Sequence, residues 1–263
     1  MQTTHMMRLA VLGSVLSSGI LLTLTGCDGE PRQTETASEG DGQNSPTSQL
    51  PDLTTFQTNK SDVLPIDITH VYSIAPYLGE GATNPHQGMH FNFHDDGSFA
   101  TVGEPSTYPA VYAVDDGIIT HVEALRNLGQ HEAYGIGLVV GQSNGHEATL
   151  YYSLEPFVKE PSPGFYSSFI TVHDGQHVHR GDVIGYLFVP PGSTQGTHLH
   201  LHLTLGKVNA TPALFSHSAI AAMHDKFGDP GGVENGQQLP ECTGYKVSAS
   251  ENPFATGAMD CLN

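Results

Sequence analysis

The chain has 263 residues, enough for one medium-sized domain with tails or for two small domains. Its 27 acidic residues outnumber its 9 lysines and arginines, and the net charge of −18 argues against nucleic acid or an anionic membrane surface as a partner, since both need basic patches. The 16 histidines favour a metal site, because histidine is the commonest metal ligand.

The N-terminus predicts export and lipid anchoring. Arg8 precedes an apolar run from Leu9 to Leu24 that is too short and too polar for a membrane helix, which is typical of a signal peptide over residues 1–26. The run ends in Leu24-Thr25-Gly26-Cys27, which resembles the lipobox of bacterial lipoproteins. The resemblance implies lipidation of Cys27, so we expect a cell-envelope protein on the periplasmic face, held to the inner or outer membrane only by its lipid. An ordinary cleaved signal with a chance cysteine is the alternative.

Three further segments follow the signal peptide. Residues 27–62 are polar and predict a disordered tether behind the lipidated cysteine. Residues 63–210 contain short alternating runs separated by turn signals such as Ser143-Asn144-Gly145, which predicts an all-β domain, an antiparallel sandwich or open barrel. Residues 211–263 predict a short helix near 212–226, with Thr211 as its cap and Pro212 in its first turn, and then an irregular extension.

Two cysteines lie in the C-terminal extension. Cys242 and Cys261 are an even pair, and in an oxidising compartment such a pair predicts a disulfide. Two buried thiols are the alternative.

A row of histidines lies in the predicted β domain, at His198-Leu199-His200-Leu201-His202. Alternate side chains of a strand share one face, so the three imidazoles point one way and the leucines the other. Such a row suits a metal pocket better than a solvated surface, although a polar strand face with chance histidines has the same pattern.

A second group of histidines lies at His86-Gln87-Gly88-Met89-His90. If a strand begins near residue 89, His90 faces the same way as Asn92 and His94, and a turn at Gly88 brings His86 beside it. Two ligands from this segment and one from the later strand would hold one zinc ion with an open coordination position.

These motifs resemble the LytM/lysostaphin-type zinc peptidases, which cut peptides of bacterial cell walls. His86-Gln87-Gly88-Met89-His90 is similar to their first motif, His-x-Gly-x-Asp, and His198-Leu199-His200 to their last, His-Leu-His. The hairpin from Gly175 to Gly185 and the strands between the motifs also follow the family's order, over about residues 70–206. The resemblance implies a lysostaphin-like fold, zinc on His86, His90 and His200, and His198 as general base or oxyanion partner.

The chain departs from that family at two positions. His90 stands where the family has a metal-binding Asp, so either His90 binds the metal or His94, Asp95 or Asp96 does. Ser153 stands where the family has its other catalytic histidine, and a serine is a poor proton acceptor. His131, His146, His173 or His177 would have to replace that histidine in space, or remain loop residues in contact with solvent.

Three functions follow from these patterns. The first is a zinc metallopeptidase that hydrolyses peptide bonds of cell-wall peptidoglycan. The second is a catalytically degenerate domain that binds peptidoglycan or regulates a cell-wall hydrolase. The third, motivated only by the number of histidines, is a metal-buffering lipoprotein that binds several ions per chain.

Overall fold

The computed structural model describes residues 59–78, 88–99, 103–143, 145–228, 233–234, 237–246 and 260–262. The predicted signal peptide, the lipidation site Cys27, most of the predicted tether and the candidate ligand His86 lie outside these residues. No helix within the described ranges has the length and apolar character needed to cross a bilayer.

The described chain is mostly β, which confirms the predicted fold class. Its elements are β1 (Ser73–Ala75), β2 (Tyr77–Leu78), β3 (Met89–Asn92), β4 (Ala110–Tyr112), β5 (Gly117–Asn127), β6 (Glu132–Ser143), β7 (His146–Glu155), β8 (His177–Val178), β9 (Val183–Tyr186), β10 (His198–Leu205), β11 (Val208–Ala210), α1 (His217–His224), β12 (Val233–Glu234), β13 (Gln237–Gln238), β14 (Gly244–Lys246) and β15 (Asp260–Cys261).

One eight-stranded sheet organises the fold. Its strands follow the order β1-β3-β10-β7-β6-β5-β8, and β11 pairs with the end of β10. All of these pairings are antiparallel. The strands that carry His90 and His200, β3 and β10, are therefore neighbours, although more than a hundred residues separate them in sequence.

The two faces of this sheet differ as the alternating sequence predicts. Leu199, Leu201 and Leu203 of β10 are buried, and they join Met89 and Phe91 of β3 in the main hydrophobic core. Period-two alternation then places the intervening histidines on the opposite face. Burial of the leucine side fixes the register, because a slip of one residue would exchange the two faces.

The single α-helix among the described residues is shorter than predicted. Its N-cap is Ser216, whose side chain accepts a hydrogen bond from the Ala219 N–H, and the helix covers only His217–His224. The preceding residues pair with an earlier segment instead: the Ser61 N–H donates to the Leu214 carbonyl (2.8 Å), and the Ser216 N–H donates to the Ser61 carbonyl (2.8 Å). This pairing prevents the helix from beginning near 212.

The C-terminal residues return to the fold near β2. Strand β14 pairs in parallel with β2 and antiparallel with β15. Cys242 and Cys261 form a disulfide with a Cα–Cα distance of 5.8 Å, which links the chain before β14 to β15. The disulfide therefore ties the C-terminal segment to itself next to the edge of β2.

Candidate functional site

Two buried imidazoles face each other across β3 and β10. His90 and His200 are directly opposite in the strand register, and their ring centroids are 4.6 Å apart. Their residues are 7% and 8% exposed. Burying two imidazoles on one face costs free energy unless their nitrogens find partners, so the pair marks a candidate binding site.

Gly88 makes room for one of these rings. A Cβ built on Gly88 would lie 2.0 Å from His200 Nε2 and 2.4 Å from its Cδ2. Only glycine lets the backbone before β3 approach the imidazole so closely. The glycine of the first motif therefore shapes the space around His200 Nε2.

His198 lies beside the pair with a defined orientation. Its ring centroid is 4.9 Å from that of His90. Its Nδ1 is 2.6 Å from the Gly196 carbonyl, and because a carbonyl can only accept, Nδ1 carries the proton. In the neutral ring, Nε2 then holds the lone pair, and this atom lies 3.5 Å from Glu155 Oε2. Nε2 is thus the nitrogen of the neutral His198 ring that can accept a proton.

Glu155 connects His198 to a second histidine and to Ser153. Its Oε2 is 3.3 Å from His131 Nε2, and its Oε1 accepts a hydrogen bond of 2.8 Å from the Ser153 hydroxyl. The Glu155 side chain is about one-tenth exposed. A single carboxylate at the end of β7 therefore contacts two imidazoles and the Ser153 hydroxyl.

Arg126 brings a permanent positive charge to the same place. It donates from Nη2 to the Ser153 hydroxyl and from Nη1 to Tyr151 Oη (3.2 Å), and Nη2 lies 3.7 Å from Glu155 Oε1. Tyr151 in turn donates to Glu123 Oε2 at 2.9 Å. Burial is the largest cause of the raised pKa of Tyr151, so the phenol stays protonated and donates.

A glycine in the middle strand lets these side chains meet. Arg126 lies on β5 and Tyr151 on β7, with β6 between them. A Cβ at Gly135 of β6 would lie 2.2 Å from Tyr151 Oη. Without a side chain at this position, groups from the two outer strands contact each other across β6.

The histidine face opens into a pocket of about 520 Å³. Its lining comprises His90, Arg126, Leu128, His131, Tyr151, Ser153, Glu155, Phe157, His198, His200 and His202. A cavity of this size, with one cation, one carboxylate and several imidazoles, is within the range of small-ligand sites.

An exposed aromatic residue forms part of the pocket's rim. Phe157 is 47% exposed, and its ring stacks on His131 with centroids 4.0 Å apart. Its φ is +64°, which is unusual for a non-glycine residue. Gly196 lies against the same ring, since a Cβ there would meet Phe157 Cδ1 at 2.8 Å. Phe157 is held in this position by its neighbours.

The donor chemistry of the imidazole pair fits zinc. Imidazole nitrogen is a preferred zinc ligand, and two rings here share one pocket. Among the described residues no group of three His, Cys, Asp or Glu side chains converges to hold a metal ion. The third predicted ligand, His86, belongs to the segment that is not described.

The alternative ligands are engaged elsewhere. His94 packs against Tyr72 with ring centroids 4.9 Å apart. Asp95 accepts hydrogen bonds from the Gly97 and Gly192 backbone. Hydrogen bonds from Ser98 lower the pKa of Asp96 to about 2, and Asp96 also contacts His70. None of these three lines the pocket, so the pocket favours His90 over them as a ligand.

Sequence reasoning found the histidines of the site but not Arg126, Glu155 or the place of His131. Of the four histidines considered as replacements for the missing one, only His131 lines the pocket. The sequence signal that indicates such contacts is the pair Gly135 and Gly137 inside a strand pattern. Glycine in a strand often marks a place where other groups approach the backbone closely.

The comparisons with known proteins found matches only among solved structures. No family model matches the sequence, and no curated protein matches it. The catalytic domain of the antimicrobial peptidase lysostaphin from Staphylococcus simulans is 21% identical over 60% of this chain and 92% of that one, with a TM-score of 0.30.

Two further lysostaphin structures give similar values. An NMR solution structure is 21% identical over 67% of this chain and 57% of that one, with a TM-score of 0.31. A structure of lysostaphin from Staphylococcus simulans is 23% identical over 68% of this chain and 62% of that one, with a TM-score of 0.32. This chain thus spans about three-fifths of the length of those two lysostaphin chains. Likenesses of this size assign neither a family nor an activity to this chain.

Proposed function

We propose that this chain is a zinc-binding cell-envelope lipoprotein that hydrolyses peptide bonds in cell-wall peptides. The observation that supports the proposal is the meeting of His90, His200 and His198 in one pocket, with Glu155 facing His198. An imidazole pair, a neighbouring proton acceptor and a carboxylate beside it are groups that metal-assisted hydrolysis uses.

In this proposal His86, His90 and His200 would hold one zinc ion. When bound, it supplies Lewis-acid chemistry and lowers the pKa of a water molecule. His198 takes a proton from the attacking water at Nε2, because Nδ1 already donates to the Gly196 carbonyl. Glu155, which lies 3.5 Å from that Nε2, stabilises the imidazolium that forms. His198 then gives the proton to the leaving amine.

The location of the protein in the cell is part of the proposal. Lipid on Cys27 would anchor the chain to the inner or outer membrane, and the predicted tether within residues 27–62 would let the β domain reach cell-wall peptides on the periplasmic face. Cys27→Ala should move the protein from the membrane fraction to the soluble fraction. A Cys27→Ala protein that stays in the membrane fraction would contradict the lipid anchor.

Incubation of the full chain with zinc and purified peptidoglycan tests the activity. Mass spectrometry of the soluble fragments should show newly cut peptides, and His198→Ala should lose them. His173→Ala is the matched control, since His173 is an exposed histidine outside the pocket. No cleavage by the wild-type protein, or equal cleavage by His198→Ala, refutes hydrolysis. Metal analysis should find one zinc per chain, whereas several would indicate metal buffering.

A second candidate is a domain that binds peptidoglycan or a cell-wall hydrolase without turnover. Its specific support is Ser153, which replaces the family's second catalytic histidine and is bound by Arg126 and Glu155. A pull-down with insoluble peptidoglycan that recovers intact protein, with no released fragments, supports this function. Release of cut peptides excludes it.

A further inference from the structure

Ser153 lines the pocket with a side chain shorter than an imidazole, and Arg126 lies against it. The guanidinium donates to the Ser153 hydroxyl and lines the same pocket as His198 and His200. It therefore brings N–H donors to the place at which the family resemblance predicts a catalytic histidine.

The surroundings of Arg126 hold the guanidinium in one orientation. Tyr151 accepts from Nη1 at 3.2 Å, Ser153 accepts from Nη2, and the carboxylates of Glu123 and Glu155 lie 3.9 and 3.7 Å from Nε and Nη2. Both acceptors come from β7, on the far side of Gly135. Donors that are fixed before the reaction need little reorganisation when charge develops near them.

The hydrogen bonds to Tyr151 and Ser153 use only part of the N–H groups of the guanidinium. It carries five N–H groups, and its hydrogen bonds to Tyr151 and Ser153 use one on each Nη. The side chain is 30% exposed, so a ligand in the pocket can reach the remaining Nη hydrogens. Arginine stays charged at every physiological pH, unlike histidine.

We propose that Arg126 is a catalytic residue that stabilises the oxyanion of the scissile amide, in place of the missing histidine. The inference rests on the proposed hydrolytic function. As the water oxygen bonds to the carbonyl carbon, the carbonyl π pair moves to its oxygen, which accepts hydrogen bonds from Arg126. The C–N bond then breaks, the carbonyl re-forms, and the leaving nitrogen takes the proton held on His198 Nε2.

Kinetics of the full-length zinc-loaded protein on peptidoglycan peptides test the proposal. Arg126→Ala should lower kcat about 10²- to 10³-fold, the usual cost of one oxyanion donor, with a much smaller change in KM. Arg126→Lys keeps the positive charge but not the planar, two-pronged donor geometry of the guanidinium. Its kcat should therefore lie between those of the wild type and Arg126→Ala. Arg180→Ala is the matched control: Arg180 is a part-buried arginine paired with Asp115 at 2.8 Å, and it lies outside the pocket.

A reciprocal replacement separates catalysis from structure. The double variant Arg126→Ala/Ser153→His removes the guanidinium and restores an imidazole at residue 153, so its kcat should exceed that of Arg126→Ala at least tenfold. Thermal unfolding and zinc content of every variant should match the wild type.

The outcomes are distinguishable. Absence of wild-type turnover refutes the proposed function and this inference with it. Wild-type turnover together with an unchanged kcat in Arg126→Ala overturns the role of Arg126 alone. A loss of kcat that follows a loss of folded or zinc-bound protein, or a double variant no better than Arg126→Ala, also overturns it.

Discussion

Replacement of Gly88 by alanine tests whether His200 is a metal ligand. The new Cβ would lie 2.0 Å from His200 Nε2, whereas ordinary contacts begin at 3.4 Å, so the ring has to move by about 1.4 Å. A zinc–nitrogen bond is about 2.0–2.1 Å long and tolerates only about 0.2 Å of change. Leu199 and Leu201, which flank His200, are fully buried and prevent the strand from shifting instead.

We therefore expect Gly88→Ala to weaken zinc binding about 100-fold, at the upper end of what indirect perturbations of a metal site cost. Competition with a chromogenic chelator measures the affinity, and urea denaturation of the metal-free protein measures folding. Gly137→Ala is the control, because its Cβ would press on His121 at 3.1 Å, a histidine outside the pocket. A Gly88→Ala protein that is folded and binds zinc as tightly as the wild type refutes the assignment of His200.

Three other predictions concern Glu155, the disulfide and the buried Tyr134. Glu155→Gln keeps the shape but removes the charge that faces His131 and His198, so kcat should fall about 10- to 100-fold, and an unchanged kcat contradicts a positioning role. Replacement of both Cys242 and Cys261 by serine, which opens a loop of 19 residues, should lower the free energy of unfolding by about 3 kcal/mol in urea titrations; equal midpoints contradict it. Burial raises the pKa of Tyr134 well above its usual value, so stability that is present below about pH 10 should be lost as the pH rises further; equal urea midpoints at about pH 8 and 11 contradict this.

The β10 strand was predictable from sequence because its signal is local. Alternation of leucine and histidine over 198–203 has a period of two, and burial of the leucines determines which side the imidazoles take. The same reasoning placed His90 on the correct face of β3. The start of the helix was not predictable, because it depends on the pairing of Ser61 with the chain around Phe215. No property of residues 212–216 predicts that contact.

The rest of the site depends on contacts between distant segments. Arg126 and Ser153 meet because Glu123 and Ser153 are both paired with Gly135, on opposite sides of β6. Arg126 belongs to no motif, and the pairing register of three strands decides its distance from Ser153. Glu155 has no sequence signal for the same reason, since its two histidine contacts come from other strands or loops.

At Phe157 the backbone conformation and the lining of the pocket have opposite requirements. A non-glycine residue at a φ of +64° costs on the order of 1 kcal/mol, and glycine at this position would relieve that cost. Selection for stability alone would therefore remove the phenyl ring that stacks on His131 at the rim of the pocket. In a library screened first for thermal resistance and then for turnover, residue 157 is a position at which the two rankings should conflict.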